Sequence, residues 1–406
     1  MEIKINEKII KAEEELRQEY ERIDEIGLFN QNKVLQAFIK NQIAPNHFTG
    51  STGYGDGDSG REKLGRVFAD VFAAEDALVS PHILCGTHAL TIALFGLLKA
   101  GDTFLSIAGR PYDTLDKVID GKNIGSLADF GVKYEQVALK GGELNLEEIE
   151  NKIKEIKPKM VYLQRSKGYA FRREIDIKTM EKCFNLVRSV DKNIIIFVDN
   201  CYGEFTEKLE PTQVGADVIV GSLTKNAGGG LAPNGGYIAG KSHLISQIAS
   251  RLTSPSLGKA VGSFEPGYRL FFEGLFMAPK IVADVLKGKA LAREIFSEKY
   301  NVFPTKQNVM SDIVLAIKLG DKQKLIKLCQ IIQHYSPVDS FVDLEPWNMP
   351  GYSDKVIMAS GSFVEGATLE LSCDAPIREP FVAYFQGGLS YYHIKLALNE
   401  YLKENK

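Results

Sequence analysis

The chain has 406 residues, of which 44% are hydrophobic and 25% charged, with a formal net charge of -3. That length predicts two or three structural units with core enough to bury a small-molecule site, and the near-neutral charge argues against nucleic acid or an anionic membrane as partner. Five scattered cysteines (Cys85, Cys183, Cys201, Cys329 and Cys373) form no C-x-x-C pair, which excludes the usual zinc spacings and a disulfide framework.

The N-terminus, MEIKINEKIIKAEEELRQEYERI, is charged throughout, and no run of about 18 apolar residues follows, so a cytosolic protein is expected. Residues 7–26 read as an amphipathic helix through Ile9, Leu16, Tyr20 and Ile23, and a second helix is expected over 31–40. NHFTGSTGYGDGDSGRE (46–62) reads as an irregular loop. From about 61 to 240, strand and helix signals alternate. The expected strands are 77–80, 103–107, 132–139, 160–164, 194–198, 217–221 and 236–240, with helices after residue 86 and over 146–156 and 176–190. Short apolar strands separated by helices predict an α/β unit with a mostly parallel sheet covered on both faces. The remainder reads as a smaller α+β unit: a helix near 279–298, a strand in 309–319, a helix at 321–335, a strand at 354–360 and a last helix near 388–403. The expected division is an N-terminal arm and loop (1–60), a large α/β unit (61–270) and a small C-terminal unit (271–406).

In an open α/β sheet, ligands sit at the carboxyl ends of the strands. Asp199 follows the apolar strand IIIFV, and Ser222-Leu-Thr224-Lys225 follows DVIVG. Tyr112 lies just beyond 103–107, and Gly86-Thr87-His88 opens a helix. A lysine here can form an imine with an aldehyde, and a nearby carboxylate can keep a pyridine ring protonated as an electron sink. The helix N-terminus at Gly86, Thr87 and His88 offers N–H groups to a phosphate, and the Ser222 and Thr224 hydroxyls add donors. Tyr112 could stack on the ring. Arg165 and Ser166 end the strand at 160–164 and should face the same pocket. Together these point to pyridoxal phosphate (PLP) held as a Schiff base on Lys225. Cys201, two residues past Asp199, reads as a small buried thiol.

The order of these residues resembles fold-type I PLP enzymes of the aspartate-aminotransferase-like fold, in particular the cystathionine β-lyase and methionine γ-lyase group. Within it the chain is most similar to the bacterial aluminium-resistance branch. The phrases that carry the likeness are GYGDGDSGREKLGRVFADVF (53–72), SPHILCGTHAL (80–90), GRPYDTL (109–115), QRSKGY (164–169), GSLTKNAGGGLAPNGGYIAG (221–240) and DAPIREPFVAYFQGGLSY (374–391). The resemblance implies that Lys225 shuttles the Cα proton, Asp199 pairs with the pyridine nitrogen, and Tyr112 stacks on the ring. It implies a phosphate held by Gly86, Thr87, Ser222 and Thr224, with Tyr54 reaching in from a neighbouring subunit. It also implies that Arg378 clamps the substrate carboxylate, and that the protein is a homodimer or a tetramer of dimers.

The chain departs from the better-studied lyases in having Gly-Thr-His where they carry Ser-Gly-Met. It also has Asn226 after the lysine, and Tyr54-Gly55-Asp56 where they carry Tyr-x-Arg. Three rival motifs fail. No strand precedes GYGDGDSG, Val67 stands where a calcium loop needs its bidentate acid, and no P-loop occurs. No metal site is expected, for aluminium or otherwise. The expected activity is elimination from a sulfur-containing amino acid such as cystathionine or methionine. Transamination on the same scaffold, or a non-catalytic PLP-binding stress or regulatory protein, are the alternatives.

Overall fold

The computed structural model describes residues 3–404. Two helices, α1 (Glu7–Glu15) and α2 (Arg17–Lys40), open the chain and meet at Leu16. The sequence reading broke them at 27–30 instead. Asn30 lies buried in the middle of α2, where its Nδ2 donates to the Phe205 and Glu207 carbonyls, so its amide group finds acceptors without ending the helix.

After the loop comes α3 (Ser59–Val71), capped by Asp58. There follow β1 (Asp76–Ser80), α4 (Gly86–Leu97), β2 (Thr103–Ser106), α5 (Asp113–Asp120), β3 (Lys133–Gln136) and α6 (Leu146–Ile156). The unit continues with β4 (Met160–Gln164), α7 (Ile177–Val190), β5 (Ile195–Asp199), β6 (Val218–Ser222), β7 (Gly236–Gly240) and α8 (Ser242–Leu252). The seven strands lie in the order β1-β7-β6-β5-β4-β2-β3, and only β7 runs against its neighbours. Strands β4 to β7 are buried along their whole length, as apolar runs covered by helices on both faces require. Register sets Gln164 beside Asp199 and Asp199 beside Val220, so β4, β5 and β6 end together at one edge.

The long helix α9 (Arg269–Ser297) leads to β8 (Asn301–Phe303), β9 (Val314–Lys318), α10 (Lys322–His334) and β10 (Val356–Ala359). Strands β11 (Ser372–Pro376) and β12 (Val382–Gln386) and helix α11 (Tyr391–Glu404) complete the chain. These strands form an antiparallel sheet in the order β10-β11-β12-β9-β8. Several features differ from the sequence reading, the short β8 among them. Helix α9 starts at Arg269 and runs through Pro279, because apolar burial along α2 and the core offsets one lost backbone bond. Strands β11 and β12 were not anticipated: β11 reads SCDAP, with no alternation to mark it.

Two contacts join the sheets. Lys167 and Lys289 each pair with both Glu174 and Asp312, all four buried, at N···O distances of 2.8 to 3.1 Å. The second is a backbone contact: a Cβ on Gly274 of α9 would stand 2.2 Å from the Gly228 carbonyl, in the loop just after Lys225. That close approach fixes the lysine-bearing loop against α9.

Candidate active site

The loops beyond β4, β5 and β6, the start of α4 and the β11–β12 pair converge on one cavity. Asp199 ends β5 and is 3% exposed. Its Oδ1 accepts the Cys201 N–H at 3.1 Å and its Oδ2 the Tyr162 hydroxyl at 3.3 Å. Burial pushes its pKa above the ordinary carboxylate range, against the pull of Lys225 and these two donors. Lys225 follows β6 and lines the cavity, its Nζ 4.0 Å above the centre of the Tyr202 ring. Burial disfavours its ammonium form, but Cys201, Tyr202, Tyr112 and Asp199 together outweigh that and hold its pKa well above the usual value.

Gly86 begins α4 directly opposite. A Cβ there would stand 3.3 Å from Cys201 Sγ, 3.4 Å from Ser222 Cβ and 4.0 Å from Lys225 Nζ. The helix N-terminus thus faces the lysine at close range, and its first-turn N–H groups have no intrahelical acceptor. Ser222 Oγ and Thr224 Oγ1 lie 2.9 Å apart on the same wall. Thr87 Oγ1 bonds the Tyr112 hydroxyl at 2.9 Å, and Gln164 Oε1 accepts the Tyr112 N–H at 3.0 Å, which sets the Tyr112 ring in the lining. A carboxylate, an amine, a helix N-terminus without a Cβ in the way and two hydroxyls are the donor set that a phosphorylated pyridine aldehyde requires, so these residues fit PLP.

The structure therefore gathers Lys225, Asp199, Tyr112, Gly86, Thr87, Ser222, Thr224 and Ser166 around one space. It places four other expected residues elsewhere. Arg165 is a correction: its fully buried guanidinium bonds Asn200 Oδ1 at 2.9 Å and the Gly203 carbonyl at 2.8 Å, and pairs with Glu207 at 2.8 Å. Side chains alternate along an extended segment, so when Gln164 and Ser166 face the cavity, Arg165 faces away. His88 is a second correction, since its backbone N–H donates to Cys85 Sγ and its ring Nδ1 turns back to accept the Leu84 N–H. Arg378 stands at the rim rather than in the lining, bonded to Asp354 at 3.0 Å and 3.7 Å from Asp113, which does line the cavity. Tyr54 is 81% exposed and outside its own chain's cavity.

Sequence reasoning passed over Gln164, Tyr202, Tyr169, Tyr352, Asp374 and Gln386. Gln164 ends β4, the signal that found Asp199, and Tyr202 follows three residues past the end of β5. Asp374 had no such signal, since its strand β11 is itself unmarked in the sequence.

A seven-stranded, mostly parallel sheet with this cavity at its carboxyl edge defines a PLP-dependent enzyme of fold type I. The family model for methionine gamma-lyase matches residues 5–406, and the chain belongs to that family. It is 44% identical over 385 residues to YnbB of Bacillus subtilis, covering 93% of this chain and 91% of that one. Among solved structures it is similar to a carbon-sulfur lyase involved in aluminum resistance from Clostridium novyi. That pair has a TM-score of 0.92 and 47% identity, with 98% of this chain and 96% of the other covered. At 16% identity, an apo methionine gamma lyase from Micromonospora echinospora shares the fold, with a TM-score of 0.59, 88% of this chain and 93% of that one covered.

Proposed function

We propose that the protein is a carbon–sulfur lyase that eliminates the sulfur substituent of an amino acid such as cystathionine or methionine. The observation that carries this reading is the placement of Lys225 in a cavity with Asp199 at a buried strand end and the N-terminus of α4 opposite. Bound PLP supplies an electron sink for negative charge at the substrate Cα. Lys225 would hold the cofactor, and its Nζ would take the Cα proton of the bound amino acid. Asp199 would pair with the ring nitrogen of the cofactor and hold a proton there. The Gly86 and Thr87 amides and the Ser222 and Thr224 hydroxyls would hold the phosphate, and Tyr112, fixed by Thr87 and Gln164, would support the ring. Arg378, beside Asp113 at the rim, takes the substrate carboxylate. Where the sulfur is on Cβ, the Cα electron pair forms the Cα=Cβ bond and the sulfur leaves with the carbon–sulfur pair as thiolate; where it is on Cγ, as in methionine, a Cβ proton is removed as well before the thiolate leaves.

The test is thiol release from cystathionine and methionine by the purified holoenzyme, read beside its visible absorbance. Thiol and keto acid together, both lost in Lys225→Ala with the absorbance band, are the expected result. A keto acid formed without thiol would replace this reading with transamination. A band that no amino acid perturbs would replace it with a non-catalytic cofactor protein.

A further inference from the structure

The wall of the cavity across from the seven-stranded sheet comes from β11 and β12, and its chemistry differs from the cofactor side. Asp374 lies in the middle of β11 and is 3% exposed. Its Oδ2 accepts Gln386 Nε2 at 2.8 Å, while its Oδ1 has no partner among the described residues. A buried carboxylate with one oxygen unbonded is costly unless something else completes it. Burial pushes its pKa up to about 7, against the pull of Gln386 and Lys225. Tyrosines crowd the same wall: the Tyr169 ring lies 5.8 Å from that of Tyr352 and 5.0 Å from that of Tyr384, and Tyr202 stands beside Lys225.

Charge decides what this wall takes. Among the described residues that line the cavity, Lys225 is the one cationic side chain, against the carboxylates of Asp113, Asp199 and Asp374. Once Lys225 is committed to the cofactor, no cation among the described residues lines the Asp374 wall; Arg378, between β11 and β12, stays at the rim against Asp354 and Asp113. A carboxylate among aromatic faces is the environment that receives an ammonium group. The Lys225 ammonium above the Tyr202 ring already fills that role at one edge of the cavity.

We infer that Asp374, framed by Tyr169, Tyr202 and Tyr352, is a specificity residue that accepts a second, distal ammonium group of the substrate. The preferred substrates are then amino acids whose sulfur substituent carries an amine, and a neutral side chain such as that of methionine leaves Oδ1 unpaired. This rests on the reading above that an amino acid binds at Lys225. It goes further by naming which substituents the far wall selects.

The test uses the holoenzyme and two probes of matched length with the same carbon–sulfur bond: S-(2-aminoethyl)-L-cysteine, which bears a distal ammonium, and S-propyl-L-cysteine, which does not. Affinity is read from the change in cofactor absorbance, and turnover from thiol release. The parent enzyme should bind the aminoethyl compound more tightly by at least roughly tenfold, the effect of one charge-assisted hydrogen bond. Asp374→Asn, which keeps the Gln386 contact but not the charge, should erase that preference while leaving the propyl compound nearly unchanged. Asp374→Glu should retain part of it. Should the Asn variant fail to load cofactor, Tyr352→Leu must by itself narrow the parent's preference. Equal affinity for both probes in the parent, no absorbance response to either, or an equal loss for both in Asp374→Asn would overturn the inference. The two readings separate cleanly. A preference seen in absorbance without any thiol release sinks the lyase reading alone, and equal thiol release from both probes sinks the selectivity alone.

Discussion

Glu204 shows how a single buried acid outside the cavity acts on the whole chain. It lies behind the Lys225 loop, fully buried, with Oε1 accepting the Tyr237 hydroxyl at 2.9 Å and Oε2 unpartnered among the described residues. Burial raises its pKa from 4.5 to about 8, a backbone contact and Tyr237 oppose the rise, and Glu210 adds to it. The folded state holds this proton longer than the unfolded chain does. The stabilisation from the neutral acid is therefore complete below 4.5 and is lost as pH rises toward about 8. Glu204→Gln stays neutral throughout. Its unfolding free energy relative to the parent, read from denaturant melts at a series of pH values, should climb across that interval and level off above it, by an amount on the order of a few kcal/mol. A difference that does not vary with pH would mean the acid is ionised in the fold. At this same scale, Asp199 and Lys225 were legible because each directly follows an apolar strand. Arg165 was misjudged because neighbouring residues of an extended segment point to opposite sides.

At the scale of elements, the buried quartet ties the segment after β4 to α9 and to the start of β9. Burial favours a neutral Asp312, but Lys167 and Lys289 outweigh it and hold the carboxyl far below the ordinary range. Asp312 also accepts the hydroxyl of Ser166, which lines the cavity, at 2.7 Å. Asp312→Ala would leave two buried lysines to share Glu174, and a loss of about 3–5 kcal/mol in denaturant unfolding is expected. If the two sheets hold together by apolar contact alone, the loss will be much smaller. Most elements of the large sheet could be anticipated, since a strand buried on both faces is a plain apolar run. The β11–β12 pair could not, because SCDAP becomes a strand through its partners rather than through any pattern of its own.

For the whole molecule, Tyr54 is the residue that one chain leaves unexplained. It is 81% exposed on a loop bonded through its carbonyl to the Gly262 N–H at 3.0 Å, held in place yet serving no site of its own chain. We propose that it completes the phosphate site of a neighbouring subunit. Light scattering should then give at least twice the chain mass of 45.0 kDa. Mixing Lys225→Ala with Tyr54→Phe subunits should restore activity, because one hybrid site receives both intact residues. A fully loaded, active monomer would sink the shared site.

The sequence by itself determined the cofactor chemistry. The lysine with its hydroxyls, the strand-end acid and the helix N-terminus are each spelled out within a few contiguous residues, and local backbone rules place such residues at a sheet's carboxyl edge. Only the tertiary structure decided what faces that machinery. Asp374 and Gln386 reach the cavity because a second sheet packs across it, and the free Asp374 oxygen opposite Lys225 is a product of contacts between residues far apart in the chain, which no short-range pattern encodes.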